Sequence, residues 1–151
     1  MTFTDSARAL LKRLEGCRLT AYRCSAGRWT IGYGHTGDVA PGQVISQHQA
    51  EVILDHDLQR FVAGVEQFVA SAPVPATDNQ FSALVIFAFN VGLPALAGST
   101  ALRDLLQGRM QDVPLELSRW NKIHDASGVA VVNAGLIARR NAEIALWRTA
   151  S

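Results

Sequence analysis

The sequence predicts an α+β fold with two lobes, a small β-hairpin lobe joined by a long helix to a helical lobe. Three observations carry this expectation: a glycine-rich alternating stretch over residues 18–34, helical periodicity sustained from Ser46 to about residue 71, and a second half patterned as helices, the charge-poor 81–91 among them. With 48% hydrophobic residues in 151, the chain buries one substantial core, so a single domain over 1–151 is expected.

Phe3, Ala7, Leu10, Leu11 and Leu14 recur at helical spacing behind Thr4 or Asp5 as N-cap, which predicts a first helix over 4–15, ending at Glu15 and Gly16. From Arg18 the period changes. Trp29, Ile31 and Tyr33 alternate with Thr30, Gly32 and Gly34 after a turn at Ser25, Ala26 and Gly27, so residues 15–45 form a small β-containing lobe. Ser46 and Gln49 have capping-box spacing, and Ala50, Ile53, Leu54, Leu58, Phe61, Val65 and Phe68 carry one connecting helix over 46–71. Pro73 and Pro75 end it. Thr77 and Gln80 repeat the capping box and open an apolar helix from Phe81 to Val91, stopped by Gly92 and Pro94. Further helices are expected near 100–108, 113–123 and 135–148, so 72–151 makes the helical lobe, with helix 4–15 packing near it.

Composition excludes several classes. Charged residues are 18% and the formal net charge is +1, which indicates no nucleic-acid partner and no stable membrane association. Six cations in residues 1–30 (Arg8, Lys12, Arg13, Arg18, Arg23, Arg28) face only Asp5 and Glu15, a balance that suits an anionic polymer or a solvated helix face. The first helix lacks an apolar signal-peptide core, and the stretch 81–97 is short and broken by Asn90, Gly92 and Pro94, so cytosolic synthesis without a spanning helix is expected. Cys17 and Cys24 are too few for a disulfide scaffold, and neither they nor His48, His56 and His124 have zinc-ligand grouping, so no metal or cofactor is expected.

Cleaving a glycosidic bond needs an acid for the leaving oxygen and a second group that activates water or stabilises an oxocarbenium-like transition state. Glu15 suits the first role, because a carboxyl at the negative end of a helix dipole keeps its proton more readily. Position alone equally allows Glu15 to pair with Arg139 or Arg140.

The run Glu15-Gly-Cys-Arg-Leu-Thr-Ala-Tyr-Arg-Cys24, followed by Gly27-Arg-Trp-Thr30-Ile-Gly-Tyr-Gly-His35, resembles the active-site signature of phage-type lysozymes, the endolysins of glycoside hydrolase family 24. That signature is Glu, eight residues, Asp, five residues, Thr, within a Thr-Ile-Gly-x-Gly-His run. Ala88-Phe-Asn-Val-Gly92, Ser99-Thr-Ala-Leu-Arg103, Ser118-Arg-Trp120 and Gly135-Leu-Ile-Ala-Arg-Arg140 resemble family segments in the same order, so the likeness covers nearly the whole chain.

The resemblance implies a two-lobed lysozyme-like fold with the glycan held between the lobes. It implies a monomeric endolysin muramidase that hydrolyses the β-1,4 bond between N-acetylmuramic acid and N-acetylglucosamine in bacterial peptidoglycan, reaching the cell wall through a holin pore and lysing the host. Glu15 becomes the general acid and Thr30 the hydroxyl that holds the attacking water; Cys24 stands where most members have the catalytic aspartate. The family pattern implies inversion, whereas a Cys24 thiolate acting as nucleophile would give retention. Tyr22, Gly34 and Asn90 border the sugar, and His35 with Asp57 forms a structural ion pair. Cys17 lies seven residues before Cys24; related anchored endolysins hold themselves inactive by disulfide exchange, which suggests a redox lock at this pair, the alternative being a reduced pair in the cytosol. Two other readings fit the residues: a peptidoglycan-binding protein that has lost catalysis with the aspartate, and a glycosidase of another aminoglycan such as chitin. Trp29, Trp120 and Trp147 are candidates for sugar stacking or for the core.

Overall fold

A computed structural model describes residues 1–150. Its elements run α1 (Asp5–Glu15), β1 (Arg18–Arg23), β2 (Trp29–Gly32), α2 (Gln47–Val69), α3 (Asp78–Val91), α4 (Leu93–Ala97), α5 (Thr100–Leu106), α6 (Val113–Ser118), β3 (Lys122–His124), β4 (Ala130–Val132) and α7 (Ala134–Arg148). The chain divides into two compact units, one of residues 8–60 and one of residues 1–7 with 61 onward.

The 8–60 unit is built on the antiparallel pair β1–β2, in register at Tyr22↔Thr30 and Arg23↔Trp29, with an irregularity between Arg18 and Tyr22. Cys24 and Arg28 close the hairpin, the Cys24 N–H donating to the Arg28 carbonyl at 2.9 Å. Residues 43–45 lie along the other edge of β1, where the Ala21 N–H donates to the Gln43 carbonyl and the Ile45 N–H to the Leu19 carbonyl. Its apolar interior includes Leu11, Ile31, Ile45, Ala50, Leu54 and Leu58. Gly32, at φ +64°, is the close approach in this packing: a Cβ there would lie 3.6 Å from both the Ala50 Cβ and the Ile45 Cδ1. Helix α2 opens on a capping box, Ser46 Oγ accepting from the Gln49 N–H and Gln49 Oε1 accepting from the Ser46 N–H.

In the other unit α3 packs most extensively on α7, and α4, α5 and α6 complete the helical assembly. Phe81 to Ala88 of α3 are buried without a break, which explains the lack of a polar face over that stretch. The Thr77–Gln80 capping box forms, and the Gly92 N–H returns to the Ala88 carbonyl to end the helix. The N-terminal segment is tied to the start of α3, the Thr2 N–H donating to Asp78 Oδ1 and the Thr4 N–H to Ser82 Oγ. Phe61 and Phe89 tilt against each other at 5.0 Å, and Phe87 meets Trp120 edge-on at 5.4 Å.

Two expectations are corrected here. Pro94 does not simply stop a helix; it sits in the first turn of α4, where its missing N–H costs nothing and its fixed φ is already helical. The helix expected over 113–123 ends at Ser118, and β3 and β4 form a second hairpin. The Asp125 carboxylate accepts from the Ser127 and Val129 N–H groups and the Ser127 hydroxyl, and Gly128 takes φ +82°, so the turn is locally encoded. Both strands are exposed on both faces, so no in–out alternation marks them in the sequence.

Candidate active site

Glu15 is the last residue of α1, and the Gly16 N–H closes that helix onto the Lys12 carbonyl at 3.0 Å, with Gly16 at φ +65°. Opposite it runs the glycine turn after β2. At Gly34 a Cβ would stand 3.7 Å from Glu15 Oε2, and φ is +89°, so glycine lets the backbone approach the carboxyl. Glu15 and Gly34, two candidate site residues nineteen positions apart, are therefore neighbours.

The other candidates of this unit share one face of the hairpin. Thr30 pairs directly with Tyr22 across the sheet, and Cys24 follows Tyr22 by two residues, which returns it to the same side. Thr30 is buried, and its hydroxyl donates to the Arg28 carbonyl at 3.0 Å. Tyr22 is half-buried with the Arg18 guanidinium stacked 4.4 Å above its ring. The Cys24 thiol is held below its ordinary value, chiefly by the Arg28 and Ala26 backbone N–H groups and then by the Thr30 hydroxyl. Thr30 has one hydroxyl proton, so the Arg28 carbonyl and a Cys24 thiolate compete for it. Cys24 thus resembles an activated thiol, whereas Cys17 donates its S–H to Gln47 Oε1 at 3.8 Å. Both cysteines are free.

His35 Nδ1 lies 2.8 Å from Asp57 Oδ2, and Nε2 lies 2.8 Å from the Gly37 carbonyl. Asn90 belongs to the other unit, where its Oδ1 accepts from Arg140 Nη2 at 2.6 Å beside a cavity of about 230 Å³ that is also lined by Trp120, Lys122 and Leu136. Arg139 and Arg140 both pair with Glu143 on α7. Trp147 is buried in the core, and Trp29 is half-buried under Arg23. No three His, Cys, Asp or Glu side chains cluster as a metal site among the described residues.

The motif reading missed the polar groups behind the site. Glu51 accepts from Lys12, Tyr33 and Gln47, joining α1, the glycine turn and α2. One signal was available: Arg8 and Lys12 on α1, and Glu51 and Asp55 on α2, are spaced four apart as stripes of opposite charge.

A β-hairpin unit carrying Glu15, Cys24 and Thr30 and a helical unit together make a lysozyme-like fold. The muramidase domain of SpmX from Asticaccaulis excentricus superposes with a TM-score of 0.90 at 34% identity, covering 99% of each chain. An endolysin of Acyrthosiphon pisum secondary endosymbiont phage 1 is 40% identical over 150 residues, which is 99% of this chain and 100% of that one. A SAR-endolysin of Pseudomonas phage phiKMV is 41% identical over 140 residues, covering 92% of this chain and 84% of its own. The phage lysozyme family model matches residues 12–143, and the chain belongs to that family.

Proposed function

We propose that this chain is an endolysin, a glycoside hydrolase that cuts the β-1,4 bond between N-acetylmuramic acid and N-acetylglucosamine in bacterial peptidoglycan. The observation that carries the reading is the placement of Glu15 against the Gly34 backbone while Thr30 and Cys24 share one hairpin face, in a chain of the phage lysozyme family. Glu15 gives its proton to the leaving oxygen as the muramic C1–O bond breaks. Water adds to C1 from the other side, held by the Thr30 hydroxyl, and the Cys24 thiolate takes the water's proton, which gives inversion. Solvent then returns the proton from Cys24 to Glu15. Tyr22 and the Gly34 backbone border the sugar, and Asn90 is a further proposed contact.

The relatives are endolysins, and no helix among the described residues is long and apolar enough to cross a membrane. The release route that fits is a monomer made in the cytoplasm and passed to the wall through a holin pore. Oxidation of Cys24 with Cys17 would remove the thiolate and silence the enzyme; thiol titration with and without reductant, alongside activity, tests this, and full activity of the oxidised protein would refute it.

Turbidity clearing of permeabilised bacteria by wild type, Glu15→Gln and Cys24→Ser under reducing conditions tests the central reading. Glu15→Gln should lose about 10²–10⁴-fold, the ordinary contribution of a general acid. Cys24→Ser should also lose activity, because a serine hydroxyl stays protonated at neutral pH. Lysis surviving Glu15→Gln would overturn the assignment of the acid. A wild type that binds peptidoglycan without cutting it would overturn the enzyme.

A further inference from the structure

One carboxylate behind the site gathers more partners than a surface ion pair needs. Glu51 Oε1 receives Lys12 Nζ at 2.5 Å, the Tyr33 hydroxyl at 3.1 Å and Gln47 Nε2 at 3.0 Å, while Oε2 lies 3.8 Å from Arg8. Gln47 Nε2 also donates to the Tyr33 oxygen at 2.9 Å, and the Lys12 ammonium stands 5.6 Å above the Tyr33 ring. These groups come from α1, from the glycine turn and from α2. Lys12 holds Glu51 below its ordinary value, and burial pushes the Tyr33 phenol up, so the carboxylate stays charged and the phenol stays a donor.

The two ends of this clamp are the two walls around Glu15. Lys12 lies three residues before it, and the Lys12 carbonyl receives the Gly16 N–H that finishes the helix. Tyr33 lies between Gly32 and Gly34, both at positive φ, where no side-chain sterics fix the backbone and an anchor must do so. Gly34 is the residue whose backbone faces Glu15 Oε2. The side chains of Lys12 and Glu51 are each about 30% exposed, so screening leaves the pair little energy to give to stability. Its geometric consequence is larger, since it joins a helix end to a turn that glycine leaves free.

We infer that Glu51, acting through Lys12 and Tyr33, is a positioning residue for Glu15: it sets the gap between the end of α1 and the glycine turn, and so the place from which the acid delivers its proton. The inference rests on Glu15 being the acid. Displacing a reacting group by a fraction of an ångström costs rate and leaves binding of the remaining sugars intact, so the loss belongs in kcat.

The test is steady-state hydrolysis of soluble peptidoglycan strands by the full chain, with circular dichroism showing each variant folded at the assay temperature. Glu51→Gln should lower kcat about tenfold with KM within about twofold. Tyr33→Phe keeps the ring and its packing, loses only the hydroxyl, and should lower kcat several-fold, so the prediction stands even where Glu51→Gln folds poorly. Lys12→Met should match Glu51→Gln, Lys12→Arg should restore most of the rate, and the double variant Lys12→Met with Glu51→Gln should lose no more than either alone. Folded Glu51→Gln and Tyr33→Phe with wild-type kcat, or losses confined to KM, would overturn the inference. Glu15→Gln separates the two levels. If it keeps wild-type kcat, the acid assignment falls; if it is inactive while Glu51→Gln and Tyr33→Phe run at wild-type kcat, only the positioning role falls.

Discussion

Replacing Glu143 with alanine should be among the most damaging single changes in the helical unit, although the residue is no candidate for chemistry. Glu143 is 0% and Arg140 1% exposed, and Arg139 beside them is 8% exposed. Arg140 Nη2 donates to Glu143 Oε1 at 3.0 Å and to Asn90 Oδ1 at 2.6 Å, and its guanidinium lies 4.8 Å over the Phe87 ring. Arg140 Nε and Glu143 Oε2 are 2.9 Å apart but out of line for a hydrogen bond, so that contact is Coulombic. Burial pulls the Arg140 guanidinium below its ordinary value and Glu143 opposes this, so the carboxylate is what keeps the buried charge tolerable. Removing one partner of a buried pair costs about 3–5 kcal/mol. At about 2–4 °C per kcal/mol for a chain of this size, Glu143→Ala should lower Tm by about 6–20 °C, read by circular dichroism at neutral pH. The combined change Glu143→Leu with Arg140→Met removes the charges of that pair and should recover part of the loss, the remainder being the Asn90 carbonyl left without its donor and Arg139 left without Glu143. Glu143→Ala within about 1 kcal/mol of wild type would refute the reasoning, because the guanidinium would then be solvated and not buried with its partner.

Four further outcomes are expected. Asp57→Asn leaves His35 Nδ1 without its charged acceptor and should cost about 1.5–3 kcal/mol in a denaturant melt while sparing kcat. Because the Cys24 thiol is lowered, folded protein should alkylate at Cys24 with iodoacetamide faster near pH 7–8 than the same chain in urea, and Thr30→Val should slow it; equal rates would remove the case for a thiolate. Gly34→Ala places a methyl 3.7 Å from Glu15 Oε2 at φ +89°, so stability should fall by about 1–2 kcal/mol and lysis with it. Glu51 is lowered from 4.5, so its stabilisation exists above that pH and is lost as pH falls through its folded value; the Tm gap between wild type and Glu51→Gln should be full near pH 6 and close below pH 4.5.

Much of the architecture was legible because its signals are local. Thr77 and Gln80 bracket one turn, as do Ser46 and Gln49, and both boxes form because a cap requires only the residues within it. The periodicity of α2 spans so many turns that a strand reading cannot match it. The β3–β4 hairpin escaped because neither strand buries a face, which leaves Asp125, Ser127 and Gly128 as the only marks. Pro94 looks like a stop in the sequence because the same residue that cannot continue one helix can start the next.

The candidate site divides in the same way. Glu15, Cys24 and Thr30 stand out from residue identity and order alone, because a motif of this length constrains chemistry type by type, and the end of a helix placed Glu15 without any tertiary knowledge. The same is true of family membership, since the matched span runs through nearly the whole chain. What only the folded structure decided is the surroundings of those side chains: that Gly34 meets Glu15, that the Arg28 and Ala26 amides and the Thr30 hydroxyl hold the Cys24 thiol low, and that Lys12, Tyr33 and Glu51 meet behind Glu15. The physical reason is distance along the chain. Capping and periodicity act within a turn or two, whereas electrostatic environment and positioning come from groups tens of residues apart, which only tertiary packing brings within hydrogen-bond reach.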